Sequence, residues 1–132
     1  MIGGYLPPSW RWREPATGHG APFETFKLEL RRGCLALAVL AELRTERYGY
    51  ALRQALAKQG LGIEQGTLYP LLRRLETQGL LTSEWRNDGK RRKRFYRLTP
   101  NGRRMLDLLL EEWRRIDRSL GGIIERPQFQ AA

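Results

Sequence analysis

The chain has 132 residues, a formal net charge of +10 and 41% hydrophobic residues, enough for one domain with its own core. A protein this basic commonly meets a polyanion, and nucleic acid is the first candidate. One cysteine, Cys34, and one histidine, His19, exclude an internal disulfide and an ordinary Cys/His zinc site. Because the sequence lacks both a membrane-spanning apolar run and a signal peptide, we expect a cytoplasmic protein without metal or cofactor.

The first 22 residues are rich in proline and glycine, and we expect a flexible tail over 1–22. Trp10 and Trp12 are unusual in such a segment. They could pack on the domain or contact DNA, or the segment could reflect a start codon assigned too far upstream.

A first helix is predicted from Phe23 to Leu43. Its second half, from Gly33, is apolar on nearly every side, which is typical of a buried central helix. We therefore expect Cys34 to be a small core residue.

Two further helices follow. A turn at Thr45–Arg47 leads to an amphipathic helix over Tyr48–Gln59, and a third helix is predicted from about Glu64 to Gln78. The apolar residues of the third helix have the spacing of one helical face: Leu68, Leu71, Leu72 and Leu75.

A β-hairpin comes next. Its strands are predicted at Leu80–Arg86 and Lys93–Leu98, with a turn at Asn87–Gly89. Trp85 on the first strand is expected to pack on the domain. The order of elements predicts a mostly α-helical fold with a small β-hairpin.

The last helix has Thr99 as its cap and Pro100 at its first position, and is predicted to run to about Leu120, ahead of Gly121 and Gly122. Its apolar residues recur at alternating spacings of three and four: Leu106, Leu109, Trp113, Ile116, Leu120 and Ile123. Such a narrow stripe requires a partner helix, and we expect a homodimer formed across a two-fold axis.

The positive charge is concentrated around the hairpin. Between Trp85 and Arg104 there are nine basic residues and one acid, Asp88, which leaves +8 of the total of +10. The basic residues are Arg86, Lys90, Arg91, Arg92, Lys93, Arg94, Arg97, Arg103 and Arg104. A protruding hairpin with this charge suits contacts to phosphates or a narrow groove, and Lys90–Lys93 are the candidate contacts. The alternative is a solvated run of charges.

The third helix offers side chains that could read bases. The candidates outside its apolar face are Gln65, Thr67, Tyr69, Arg73 and Arg74. Arginine can bond guanine through two hydrogen bonds, and glutamine favours adenine. One of Arg73 and Arg74 could instead pair with Glu76 or Glu42. Tyr69 could be half-buried, with its hydroxyl group on a phosphate.

Evidence for an enzyme is weak. The segment Gly60–Gly66 lacks the dinucleotide-binding spacing and follows a helix instead of a strand. Because no nucleophile has an activating partner in a known pattern, we nominate no catalytic residue.

Four segments together resemble the PadR family of bacterial transcriptional regulators. They are Tyr48–Leu52, Gly66–Glu76, Gly79–Leu81 and Arg91–Gly102, and the resemblance extends over about Leu28–Ile124. It implies a winged helix-turn-helix DNA-binding domain at 23–99 and a single C-terminal dimerisation helix at 100–124, as in the smaller subfamily, with a tail at 125–132. It also implies a repressor that a small molecule releases from its operator. Because a two-fold dimer places two recognition helices on successive major grooves, we expect that operator to be a pseudo-palindrome in double-stranded DNA.

The segment Leu110–Asp117 resembles the multidrug-sensing branch of that family, in which the tryptophan matching Trp113 lines an aromatic-binding pore between subunits. Asp117 lies one turn later and could face a cationic, planar aromatic effector. The alternative is that Trp113 only packs between helices and Asp117 pairs with an arginine. A competing function is that of an architectural protein that binds DNA or RNA without sequence preference or effector.

Overall fold

The computed structural model describes residues 20–126. The expectations for Trp10, Trp12, His19 and the rest of 1–19, and for 127–132, lie outside the described residues. The described elements are α1 (Gly20–Glu42), β1 (Arg47–Tyr48), α2 (Gly49–Lys58), α3 (Gln65–Thr77), β2 (Leu81–Asp88), β3 (Arg91–Leu98) and α4 (Pro100–Ile124). The predicted order of helices, hairpin and last helix is confirmed.

The chain divides after Leu35 into two compact units. In the first unit the described residues are those of α1 from Gly20, three residues before the predicted start of the helix. Cys34 is exposed, so its prediction as a core residue is wrong. Burial on α1 begins only at Val39, because the apolar run is longer than the part of the helix that enters the core.

The core of the second unit is built largely from leucines. The spacing of Leu68, Leu72 and Leu75 turns one face of α3 inward, whereas Leu71 lies only partly buried at its edge. The buried residues are Val39, Leu40, Leu43, Leu52, Leu56, Leu68, Leu72, Leu75, Leu80, Leu81, Tyr96, Leu98 and Leu106. This core fixes α3 and the sheet relative to each other.

The sheet contains a strand that the sequence did not predict. The short strand β1 pairs antiparallel with β3, which places Arg47 opposite Tyr96 and Tyr48 opposite Phe95. The strand order is β1-β3-β2. Two residues are too few to show the alternation of a strand, so Tyr48 was wrongly placed in the second helix.

The hairpin is longer than predicted, and we call β2, β3 and their turn the wing. Asn87 and Asp88 belong to β2, where they pair with Arg92 and Arg91, so their prediction as turn residues is wrong, whereas Gly89 lies in the turn as predicted. The two-residue turn has Gly89 in first place with φ 68°, a conformation that glycine adopts without strain.

The first end of α4 agrees with its predicted cap, whereas the second end differs from its predicted stop. The amide of Gly102 donates to the Thr99 hydroxyl at 2.9 Å, which confirms the predicted cap. The predicted stop before Gly121 is wrong, because the helix continues to Ile124. Glycine lowers helix propensity by about 1 kcal/mol but does not block the hydrogen-bond ladder, and the Glu125 amide still donates to the Gly121 carbonyl at 3.0 Å.

Candidate nucleic-acid interface

Helix α3 keeps its polar face away from the core. Gln65, Thr67, Arg73 and Arg74 are exposed, as the apolar spacing predicts. The alternative that one of the two arginines pairs with Glu76 or Glu42 is not found. Among residues 20–126, neither Arg73 nor Arg74 has a carboxylate oxygen within 4.0 Å. Both guanidinium groups therefore remain available to a partner molecule.

Tyr69 takes the half-buried position, with its ring packed on the start of α2. A Cβ atom on Gly49 would overlap the Tyr69 hydroxyl oxygen and would lie 2.9 Å from Cζ. Gly49 therefore leaves the space that holds the phenol between α2 and α3.

Glu76 connects α3 directly to the wing. Its carboxylate accepts a hydrogen bond from the Ser83 hydroxyl at 2.7 Å and lies 3.3 Å from Nη2 of Arg94. The Nε of Arg94 also donates to the Ser83 hydroxyl at 2.9 Å, which closes a triangle of contacts. Two of these links join α3 to the strands and the third joins β2 to β3, so the three elements hold one another in place.

A second cluster holds the base of the wing. The carboxylate of Glu46, in the loop before β1, pairs with Arg86 and lies 3.6 Å from Arg97. Glu84 lies 3.2 Å from Arg86 and 3.6 Å from Arg97. The hydrogen bond from Arg86 lowers the pKa of Glu46, while the same contact raises the pKa of Arg86.

Only part of the wing charge is left for a partner molecule. Arg86, Arg94 and Arg97 have glutamate partners, and Lys93 pairs with Asp88 at 2.8 Å, a hydrogen bond that raises the pKa of Lys93. Among the described residues, Lys90, Arg91 and Arg92 are exposed and have no carboxylate within 4.0 Å. We call these three the wing tip. The net charge of +8 counted from the sequence overestimates the free positive charge of the wing. The glutamates that pair with these arginines, Glu46, Glu76 and Glu84, lie outside the counted stretch.

A concave surface of about 420 Å³ lies between α3 and the wing, and we call it the basic groove. Its described lining combines cations with aromatic rings and contains no carboxylate. The lining residues are Tyr48, Gly49, Tyr50, Tyr69, Arg73, Trp85, Arg91, Arg92, Lys93, Arg94 and Tyr96. Such a surface attracts phosphate groups and offers ring faces to sugars or bases.

Two aromatic features of the groove were not predicted. Trp85 is 52% exposed, so its expected packing on the domain is wrong. Tyr48 has the ammonium of Lys93 at 4.1 Å from its ring centre and stacks on Tyr50. The available signal for Trp85 was its position three residues before Asp88, close to the end of the hairpin where the basic residues are concentrated.

These features agree with a comparison to known proteins, in which the model of the transcriptional regulator PadR-like family matches residues 36–108. The chain belongs to the PadR-like family. It is therefore a DNA-binding transcriptional regulator with a winged helix fold, and not an enzyme. The match covers the core helices, the wing and the beginning of α4.

Individual relatives support this assignment. The transcriptional regulator Rv3488 of Mycobacterium tuberculosis is 43% identical over 79 residues, which cover 59% of this chain and 74% of that protein. A PadR family regulator from Eggerthella lenta has 44% identity and a TM-score of 0.78, covering 85% of this chain and all of that one. A PadR-like transcription factor from Bacteroides fragilis has 30% identity and a TM-score of 0.65, covering 75% and 98%.

The residues predicted for dimerisation fall into two groups in this PadR chain. Leu106 is 3% exposed and belongs to the core of the single chain, and Leu109 packs at the edge of that core. This placement contradicts the expectation that Leu106 serves the contact between subunits. Trp113, Ile116 and Leu120 are 46%, 47% and 48% exposed, on the part of α4 that extends past the core.

Asp117 is exposed on the same half of α4 as Trp113. Its alternative role as the partner of a nearby arginine is not found, because no arginine of residues 20–126 lies within 4.0 Å of its carboxylate. In the same part of the chain, no helix is both long and apolar enough to cross a membrane.

Proposed function

We propose that the chain is a cytoplasmic, homodimeric repressor that binds a pseudo-palindromic operator. The observation that carries this is the basic groove, where the free Arg73 of α3 faces the wing tip across a surface with no carboxylate among its described residues. In this arrangement α3 enters the major groove, with Gln65, Thr67 and Arg73 toward the bases. The wing tip contacts flanking phosphates or the adjacent minor groove.

The dimer is formed by the distal half of α4. One face of that half carries Trp113, Ile116, Leu120 and Ile123, each exposed in the single chain. The four residues recur at spacings of three and four, so a second copy of the helix can cover them along one stripe. A two-fold contact uses the same patch on both subunits and presents two α3 helices to successive turns of DNA.

Repression follows from occupancy of the promoter DNA by the dimer. A dimer bound across a promoter obstructs RNA polymerase without needing an activating contact. The effector that releases the repressor from DNA binds at the dimer centre, where Trp113 and Asp117 are exposed one turn apart. A planar aromatic cation would stack on the indole and pair with the carboxylate, and could change the spacing of the two α3 helices.

The test is selection of bound duplexes from a random pool, followed by footprinting of the enriched sequence. We expect a pseudo-palindrome with half-sites centred about 10 base pairs, or a multiple of that, apart. Light scattering at micromolar concentration should give the mass of a dimer. Uniform coating of every duplex, with no enriched sequence, would instead identify an architectural nucleic-acid-binding protein.

A further inference from the structure

Trp85 is an exposed indole on a highly charged surface. It lies in the middle of β2 and is one of the residues lining the basic groove. Alternate residues of a strand share one face, and on this face Leu81 enters the core while Ser83 bonds Glu76 of α3. Trp85 is the next residue of the row, at the point where the wing extends past the core. Its ring therefore lies on the same side of the sheet as α3.

Two guanidinium groups accompany the ring. Arg94 is the cross-strand partner of Trp85, and its guanidinium carbon lies 5.7 Å from the ring centre. Arg92, two residues away on the same face of β3, lies at 5.6 Å. Both cations lie close enough to interact with the indole, and they attract phosphates to its surroundings.

We propose that Trp85 is a DNA-contacting residue whose ring packs on a deoxyribose of the strand held in the basic groove. The proposal rests on the DNA binding described above. Arg92 binds a phosphate next to that sugar, and the indole supplies an apolar surface that the arginines lack. The contact adds affinity without adding charge, so its contribution does not depend on the release of counterions.

Other aromatic residues of the groove are less suited to this role. Tyr48 is covered by Lys93 and meets the ring of Phe95 edge-on, with centres 5.6 Å apart. Tyr69 is half-buried against Gly49, and Tyr96 belongs to the core. Tyr50 is exposed as well, but its ring stacks on Tyr48 and its hydroxyl accepts a hydrogen bond from Gln54 at 2.6 Å. Trp85 combines exposure, a position on the α3 side and two flanking cations.

The experiment measures operator affinity of the full chain against salt concentration for Trp85→Ala, Trp85→Phe and Arg92→Ala. We expect Trp85→Ala to weaken binding about tenfold with an unchanged salt slope, because the variant loses the apolar ring surface and no charge is removed. Trp85→Phe should stay within about threefold of the wild type because the ring face is kept. Arg92→Ala should lower the slope by about one. Leu108→Ala, which truncates an exposed apolar residue of α4, is the matched control and should bind like the wild type.

A fluorescence measurement tests the contact directly. The change in tryptophan emission that the operator causes in the wild type should be lost in Trp85→Phe, since the other three tryptophans are the same in both chains. Wild-type affinity of a folded Trp85→Ala variant would overturn the proposal, as would a loss of affinity accompanied by a lower salt slope. If the wild type binds no duplex at all, the proposed function itself fails, and the two failures are thereby distinguished.

Discussion

Gly102 in the first turn of α4 gives a sharp test of how closely this helix packs on the wing. A Cβ atom there would overlap the Leu80 carbonyl oxygen and would lie 3.1 Å from Cδ2 of Leu98. The same carbonyl accepts a hydrogen bond from the Thr99 amide at 3.1 Å. Because the closest atom belongs to the backbone, a side-chain rotation cannot relieve the overlap.

The expected cost of Gly102→Ala follows from these contacts. Overpacking costs about 1–3 kcal/mol, and weakening the Thr99 hydrogen bond adds up to about 1 kcal/mol. The better helix propensity of alanine returns at most about 1 kcal/mol, so the free energy of unfolding should fall by about 2 kcal/mol. At roughly 4 °C per kcal/mol, the Tm should fall by about 8 °C.

Thermal unfolding followed by circular dichroism measures this effect at one fixed protein concentration, since association changes the Tm. Gly122→Ala is the matched control, because it lies in the same helix and a Cβ atom there meets nothing within 4 Å in the chain. The control should raise stability by up to about 1 kcal/mol. A Gly102→Ala variant as stable as the control would refute the close packing inferred for Leu80.

Three further predictions concern the interface and the dimer. Arg91→Ala combined with Arg92→Ala should weaken binding to all duplexes and lower the salt slope by about one to two. Arg118→Ala on α4 is the control and should change neither the affinity nor the slope. An unchanged slope in the double variant would contradict the wing-tip contacts. Gly49→Ala should displace the neighbouring phenol and cost about 1–3 kcal/mol of stability, which denaturant unfolding would detect or refute. Planar dyes should quench Trp113, and equal dye binding by a Trp113→Ala dimer would show that the indole is not part of an effector site.

Local patterns predicted those parts of the fold that depend on residues close in sequence. The spacing of Leu68, Leu72 and Leu75 was enough to orient α3, because one helix face must enter the core. Thr99 followed by Pro100 located the start of α4, because their chemistry suits a helix N-terminus.

Contacts between distant segments were beyond such patterns. Glu46 meets Arg86 across 40 positions of the chain, and no local rule links them, so the free charge of the wing was overestimated. The spacing of the stripe that begins at Leu106 predicts one continuous surface, but Leu106 itself belongs to the core of the single chain. Periodicity identifies an apolar face and leaves open which molecule covers it.

The triangle of Glu76, Ser83 and Arg94 affects which operator sequences the protein can bind. Because it joins α3 to the wing, the spacing between the base-reading surface and the phosphate-binding tip is set by the protein. DNA must then supply the matching groove width, and the cost of adjusting it depends on the stiffness of the local sequence. Base pairs that no side chain touches can thereby affect affinity, and stiff or flexible steps between the two contacts would be selected along with the bases themselves.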